Sequence, residues 1–228
     1  MSKSLGNGID PVEIINSHGP DALRLSLVLG ATPGNDLKYS ITKVDYAGRF
    51  LHKLWNAARY VHQKIETKPL SMDQEQAYIL ENFDKATDAD KWMLQVFDQH
   101  IDQIDQYFKD FMYGEAANTA IELVWNYFCD WYIEITKTSQ SEVTPHILRY
   151  GIGCIVKLLH PYAPFVTETL WRLFDFEGYL VQQSRPKTIN QAPARETFNS
   201  FIQVIGAIRS LRQDNDIKPN EKVNIFVK

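Results

Sequence analysis

The first eight residues, MSKSLGNG, place one ammonium between two hydroxyls on a stretch loosened by two glycines. A point charge, hydroxyl donors and free backbone N–H groups are what phosphate oxygens need. Ser2, Lys3 and Ser4 are therefore candidate phosphate-binding residues, although a plain polar N-terminus has the same composition. Little else in the chain has the spacing of catalytic chemistry. There is no Ser-His-Asp elbow, no paired-carboxylate signature and no Gly-rich strand-to-helix phosphate loop. Cys129 and Cys154 cannot form a cysteine zinc site, and the six histidines are scattered without ligand spacing, so no metal is expected. Both cysteines lie in apolar helical patterns and read as buried free thiols rather than a disulfide, which fits a reducing cytosol.

The elements that position these residues are helical. From Met112 to Thr138, the residues Ala117, Ala120, Ile121, Val124, Phe128, Trp131, Tyr132 and Ile135 recur at steps of three and four. That spacing predicts one long proline-free helix at the centre of a bundle. Asp10, Pro11 and Glu13 read as an N-cap, N1 and N3 arrangement opening a short helix that ends at Gly19. A second runs from Pro20 to Gly30. Ser40 caps a long helix to about Ile65, with Val44, Ala47, Phe50, Leu54, Trp55, Ala58 and Val61 inward and Arg49, Lys53, Arg59 and Lys64 on a basic outer face. Residues 66–87 read as a polar connection with one helical turn near 77–83. Further helices follow from Asp88, from Ser141–Thr144 to Leu159, from Pro164, and from Glu196 to Arg212. The final KVNIFVK alternates like a strand. The fold class is all-α: a helical bundle with a short region before it and a terminal strand.

Composition bounds the function. The 228 residues are 44% hydrophobic, no run is long enough to cross a membrane, and no signal peptide is visible. The net charge of −4 is unevenly spread. Residues 1–65 carry 8 basic and 5 acidic side chains, residues 66–148 carry 5 and 16, and residues 149–228 carry 11 and 7. A polyanion would be repelled by the middle and met by the ends.

MSKSLGN resembles the KMSKS signature of class I aminoacyl-tRNA synthetases, beginning one residue inside it. GIDP, GPDALRLSL and ATPGNDLKYS resemble the valyl branch in particular. KLWNAARY at 53–60, CDWYIEITK at 129–137 and HPYAPFVTETLW at 160–171 resemble its anticodon-binding helical domain, and IRSLRQDNDIKPNEKVNIFVK resembles the segment after it. The isoleucyl branch is the nearest rival, and a free-standing helical RNA-binding or scaffold module is the alternative of a different class.

The resemblance implies a KMSKS loop and stem-contact region at 1–40, an anticodon-binding bundle at 41–213, and the start of a following segment at 214–228. It implies that the full-length enzyme activates valine with ATP and Mg²⁺ and charges tRNA(Val), while this chain alone is inactive. Lys3 would be catalytic, neutralising charge that grows on pyrophosphate, with Ser2 and Ser4 positioning the ATP-binding loop. Unstacked anticodon bases are read by aromatic faces, guanidinium planes and hydrogen bonds. Arg59 and Tyr60 offer these, with Arg209 and Arg212 as further tRNA-binding candidates. A cytoplasmic monomer is expected.

Overall fold

Side-chain and proline punctuation sets most helix starts. The computed structural model describes residues 9–31, 33–36, 39–65, 70–139, 141–189, 196–218 and 221–224. Asp10 caps α1 (Pro11–His18), accepting a 2.9 Å hydrogen bond from the Val12 amide. Pro20 opens α2 (Pro20–Val28). α3 (Ile41–Lys64) follows Ser40, whose hydroxyl turns to Thr42 instead of capping the backbone. α4 spans Met72–Glu81 and α5 spans Asp88–Lys109, both opened by reciprocal capping boxes, Ser71 with Gln74 and Thr87 with Asp90. After the central rod, described next, α8 (Thr144–Leu159), α9 (Pro164–Leu173) and α10 (Glu196–Asp214) complete the order.

The central rod holds the main departure from expectation. α6 (Tyr113–Glu122) runs without a break into a π-helical segment (Leu123–Ile133) and a last turn, α7 (Glu134–Thr136). Bonding from i to i+5 widens each turn. Positions four and five apart then share a face, so the segment buries Leu123, Val124, Phe128, Cys129, Tyr132 and Ile133. An α-helical stripe would have carried Trp131 and Ile135 inward, but both are only half-buried.

Three more expectations are corrected. Residues 72–81 form a full helix rather than one turn, because Glu75 and Ile79 are buried against α8. Trp55 lies at the surface in a groove with His18, His52 and Val166. Residues 221–224 form no strand, and none occurs among the described residues; a strand needs a partner ladder. Residues 225–228 lie outside the described residues.

The rod, α3, α5 and α8 bury one apolar core, and Ala22, Leu25 and Leu29 in and just after α2 join it. α2 is fixed there by polar contacts as well. Asp21 accepts from the Phe165 and Val166 amides at 3.2 and 2.7 Å, so a side chain of α2 caps the start of α9. Arg24 donates to the Pro161 carbonyl, and Lys43 of α3 donates to the Leu29 carbonyl at the end of α2. Gly114 is required where α6 meets this region, since a Cβ there would lie 2.4 Å from the Ala31 oxygen. α5 ends with Phe111 in the left-handed region (φ 58°), and Met112 donates back to the Tyr107 carbonyl.

Several buried polar groups are satisfied in clusters. Tyr132 donates to Asp90 at 2.6 Å and Thr144 donates to the same carboxylate, tying the rod and α8 to the start of α5. Glu75 lies 2.7 Å from His146 Nδ1 and 2.9 Å from Arg149 Nε, while Arg149 also donates to the Leu70 carbonyl. Cys129 and Cys154 are buried and free, and burial pushes each thiol up to about 12. No helix among the described residues is long and apolar enough to cross a membrane.

Candidate nucleic-acid interface

The inward stripe of α3 ends with Leu54, Ala57, Ala58 and Val61. One residue past Ala58 on a helix points away from that stripe, which leaves Arg59 exposed. Among the described residues Arg59 has no ion-pair partner. Tyr60 sits at the boundary: its ring is half-buried against the core, and its hydroxyl is enclosed with no hydrogen-bond partner among the described residues. The sequence leaves Tyr60 open between core and recognition, and the structure half-buries its ring.

Two ammonium groups flank that ring. Lys64, in the last turn of α3, lies 5.9 Å from the ring centroid, and Lys137, just past α7, lies 6.0 Å from it. Lys137 also pairs with Glu134 at 2.7 Å. Cations at a helix C-terminus are favoured by the dipole, and both lysines sit at such ends. The structure thus adds Lys137 to Arg59 and Tyr60. Its only signal in the sequence is a basic residue ending the central helix, which says nothing of what it would face.

Not all of the basic face of α3 is available. Lys53 pairs with Asp130 at 2.7 Å and lies 4.3 Å over the Trp125 ring, on which Tyr46 also stacks. That cluster fastens α3 to the π-helical segment. Of the α10 candidates, Arg209 lies 4.6 Å over Trp131, six residues before Lys137 on the same rod. Arg212 is turned back on its own chain, donating to the Lys218 and Glu221 carbonyls. Ser2, Lys3 and Ser4 lie outside the described residues. No cluster of histidine, cysteine and carboxylate that could hold a metal occurs among the described residues.

A half-buried ring flanked by cations, with an exposed arginine one position before it, can stack a planar base and attract its phosphate. The sequence matches the family described as "Anticodon-binding domain of tRNA ligase" over residues 90–227, and "tRNA synthetases class I (I, L, M and V)" over residues 1–40. The chain belongs to the anticodon-binding domain family of tRNA ligases. Among full-length relatives, the valine–tRNA ligase of Staphylococcus saprophyticus is 33% identical over 242 residues, covering 100% of this chain and 27% of that protein. That of Lactiplantibacillus plantarum is 38% identical over 239 residues, covering 100% of this chain and 26% of that protein. The chain thus spans about a quarter of the length of the curated relatives it matches. A solved chain from the Agrobacterium radiobacter K84 LeuRS–tRNA–LeuAMS ternary complex has the same fold, with a TM-score of 0.68 at 19% identity over 94% of this chain and 28% of that one.

Proposed function

We propose that this chain is the anticodon-recognising part of a valine–tRNA ligase. The carrying observation is the group at the end of α3: Arg59 exposed and without an ion-pair partner among the described residues, Tyr60 half-buried, and the Lys64 and Lys137 ammonium groups near 6 Å from its ring. In this reading an anticodon base stacks on Tyr60 or Arg59 while Lys64 and Lys137 hold the neighbouring phosphates. Arg209 on Trp131 extends the cationic surface along the rod, while Arg212, a candidate from the sequence, would have to leave the Lys218 and Glu221 carbonyls to reach tRNA. Residues 1–40 act as signature loop and stem-contact region, 41–213 as the recognition bundle and 214–228 as the start of the next segment.

The longer enzyme would form valyl-adenylate from valine, ATP and Mg²⁺ in the cytoplasm, as a monomer, and pass valine to tRNA(Val). Lys3 would neutralise developing pyrophosphate charge, with Ser2 and Ser4 supplying hydroxyl donors. Lys3→Ala there should raise the adenylation barrier by roughly 2–4 kcal/mol, as removal of one preorganised group does; a normal rate would remove Lys3 from the mechanism. The support for Lys3 is the sequence resemblance.

The direct test is binding of the 228-residue chain to tRNA(Val) and to the same tRNA with its middle anticodon base changed. The expected preference is about 1–3 kcal/mol, the range for one base–aromatic stack. Arg59→Ala should erase most of it while changing folding stability by no more than about 0.5 kcal/mol. Equal binding of both tRNAs by the parent chain would overturn the assignment.

A further inference from the structure

We propose that the cavity enclosed by α4, α8 and the strap at 183–189 is a binding site for a phosphate group. The cavity measures about 140 Å³. Its lining residues include none of the group around Arg59 and Tyr60, and it is independent of the tRNA reading.

The strap has no regular secondary structure, yet it is fixed at three points. Arg185 pairs with Asp105 at 2.8 Å and covers the Phe108 ring. Tyr150 of α8 donates its hydroxyl to the Lys187 carbonyl at 3.0 Å, and the Ile189 amide donates to Asp98 at 2.7 Å. Lys187 is therefore held over α8 on a preset backbone. Lys157 of α8 lines the same cavity, and Ser184 adds a hydroxyl.

Charge is out of balance there. Asp105 answers Arg185, but no carboxylate among the described residues lies within 4 Å of the Lys157 or Lys187 ammonium. Asp73 is the one carboxylate among the lining residues, beside Lys157, Arg185 and Lys187, while Asp98 is taken up by the Ile189 amide at the end of the strap. Lys157 is half-buried, and desolvation holds its ammonium below the usual lysine range, opposed by Cys154 and Asp73 and helped least by the Lys187 charge. A phosphate accepts from ammonium and hydroxyl donors at once. The polar walls and small volume favour such an anion over an apolar ligand.

The experiment titrates inorganic phosphate into the isotope-labelled 228-residue chain at constant ionic strength, with chloride as the control anion. Saturable amide shifts are expected at residues 184, 185 and 187 and at Tyr150. Lys157→Gln and Lys187→Gln should each weaken binding at least tenfold, and Arg59→Ala should leave it unchanged. Absence of saturable shifts at these positions, or the same response to chloride, overturns the site, as does unchanged affinity in Lys187→Gln. Lys187 is exposed, so its variant decides the matter if Lys157→Gln does not fold. A second arm separates the sources of the phosphate. If Lys187→Gln lowers the slope of log affinity for tRNA against log salt by about 1, the group belongs to an RNA backbone. If it abolishes phosphate binding and leaves that slope intact, the ligand is a free phosphate compound.

Discussion

Two charged regions of this molecule use the same residue types to opposite ends. On α8, Arg149 and His146 are buried and converge on Glu75, which is wholly enclosed. At the end of α3, Lys64 and Lys137 flank a half-exposed Tyr60 and Arg59 is exposed one position before it, with Glu134 the acidic partner of Lys137 alone. Burial pushes the Glu75 carboxyl up, opposed first by His146 and then by Arg149, and pushes the Arg149 guanidinium down, opposed first by Glu75. Such a cluster gains little over apolar packing, but removing one member strands the rest. Solvated cations at the α3 end have no such interdependence. Charge enclosed with its partner orients α4 on α8, whereas charge left open is available to something outside the chain.

Glu75→Ala should break that comparison most severely. It leaves Arg149 buried without its carboxylate, at a cost of about 3–5 kcal/mol, readable by denaturant unfolding. A loss under about 1 kcal/mol would mean that water reaches Arg149 and that the cluster is not enclosed. Tyr60→Ala sharpens the other side. Its ring belongs partly to each region, so about 1–2 kcal/mol of folding stability should go with its buried apolar area, together with the anticodon preference. Loss of stability with discrimination intact would return Tyr60 to the core.

The smallest expected effect is a pH slope. His100 is buried, donates through Nδ1 to the Val96 carbonyl at 2.7 Å, and is lowered from its ordinary 6.5 by desolvation; His160 is lowered by the same cause. The unfolded chain then binds protons that the folded chain refuses. Stability should fall as pH drops below about 6.5 and be fully present above it. His100→Gln should flatten part of the slope in unfolding measured between about pH 7 and 5, and an unchanged slope would assign it elsewhere.

Much of the architecture was legible because its signals are local. Asp10-Pro11, Gly19-Pro20, Pro164 and the inward stripe of α3 each carry a cap or a period that acts within a few residues. What was not legible depends on distant partners. α4 forms in a polar stretch because Glu75 meets His146 and Arg149, 71 residues or more along the chain. The π-helical segment escaped a search for steps of three and four, since its buried positions fall four and five apart. Arg59 and Tyr60 could be singled out as stacking and charged neighbours, but Lys137 reaches Tyr60 only through the packing of the rod on α3, and the fold alone supplies that distance.

The π-helical segment also sets a phase. Whatever leaves the rod after Ile133 does so at an azimuth fixed by how many residues fill the wide turns from Leu123 onward. One residue more or fewer, at α-helical spacing, rotates the exit by about 100°. Lys137 would then swing off Tyr60 while every side chain before the segment kept its seat. The residue count within that stretch acts like the cut of a key, constraining length more tightly than it constrains the identity of any one side chain.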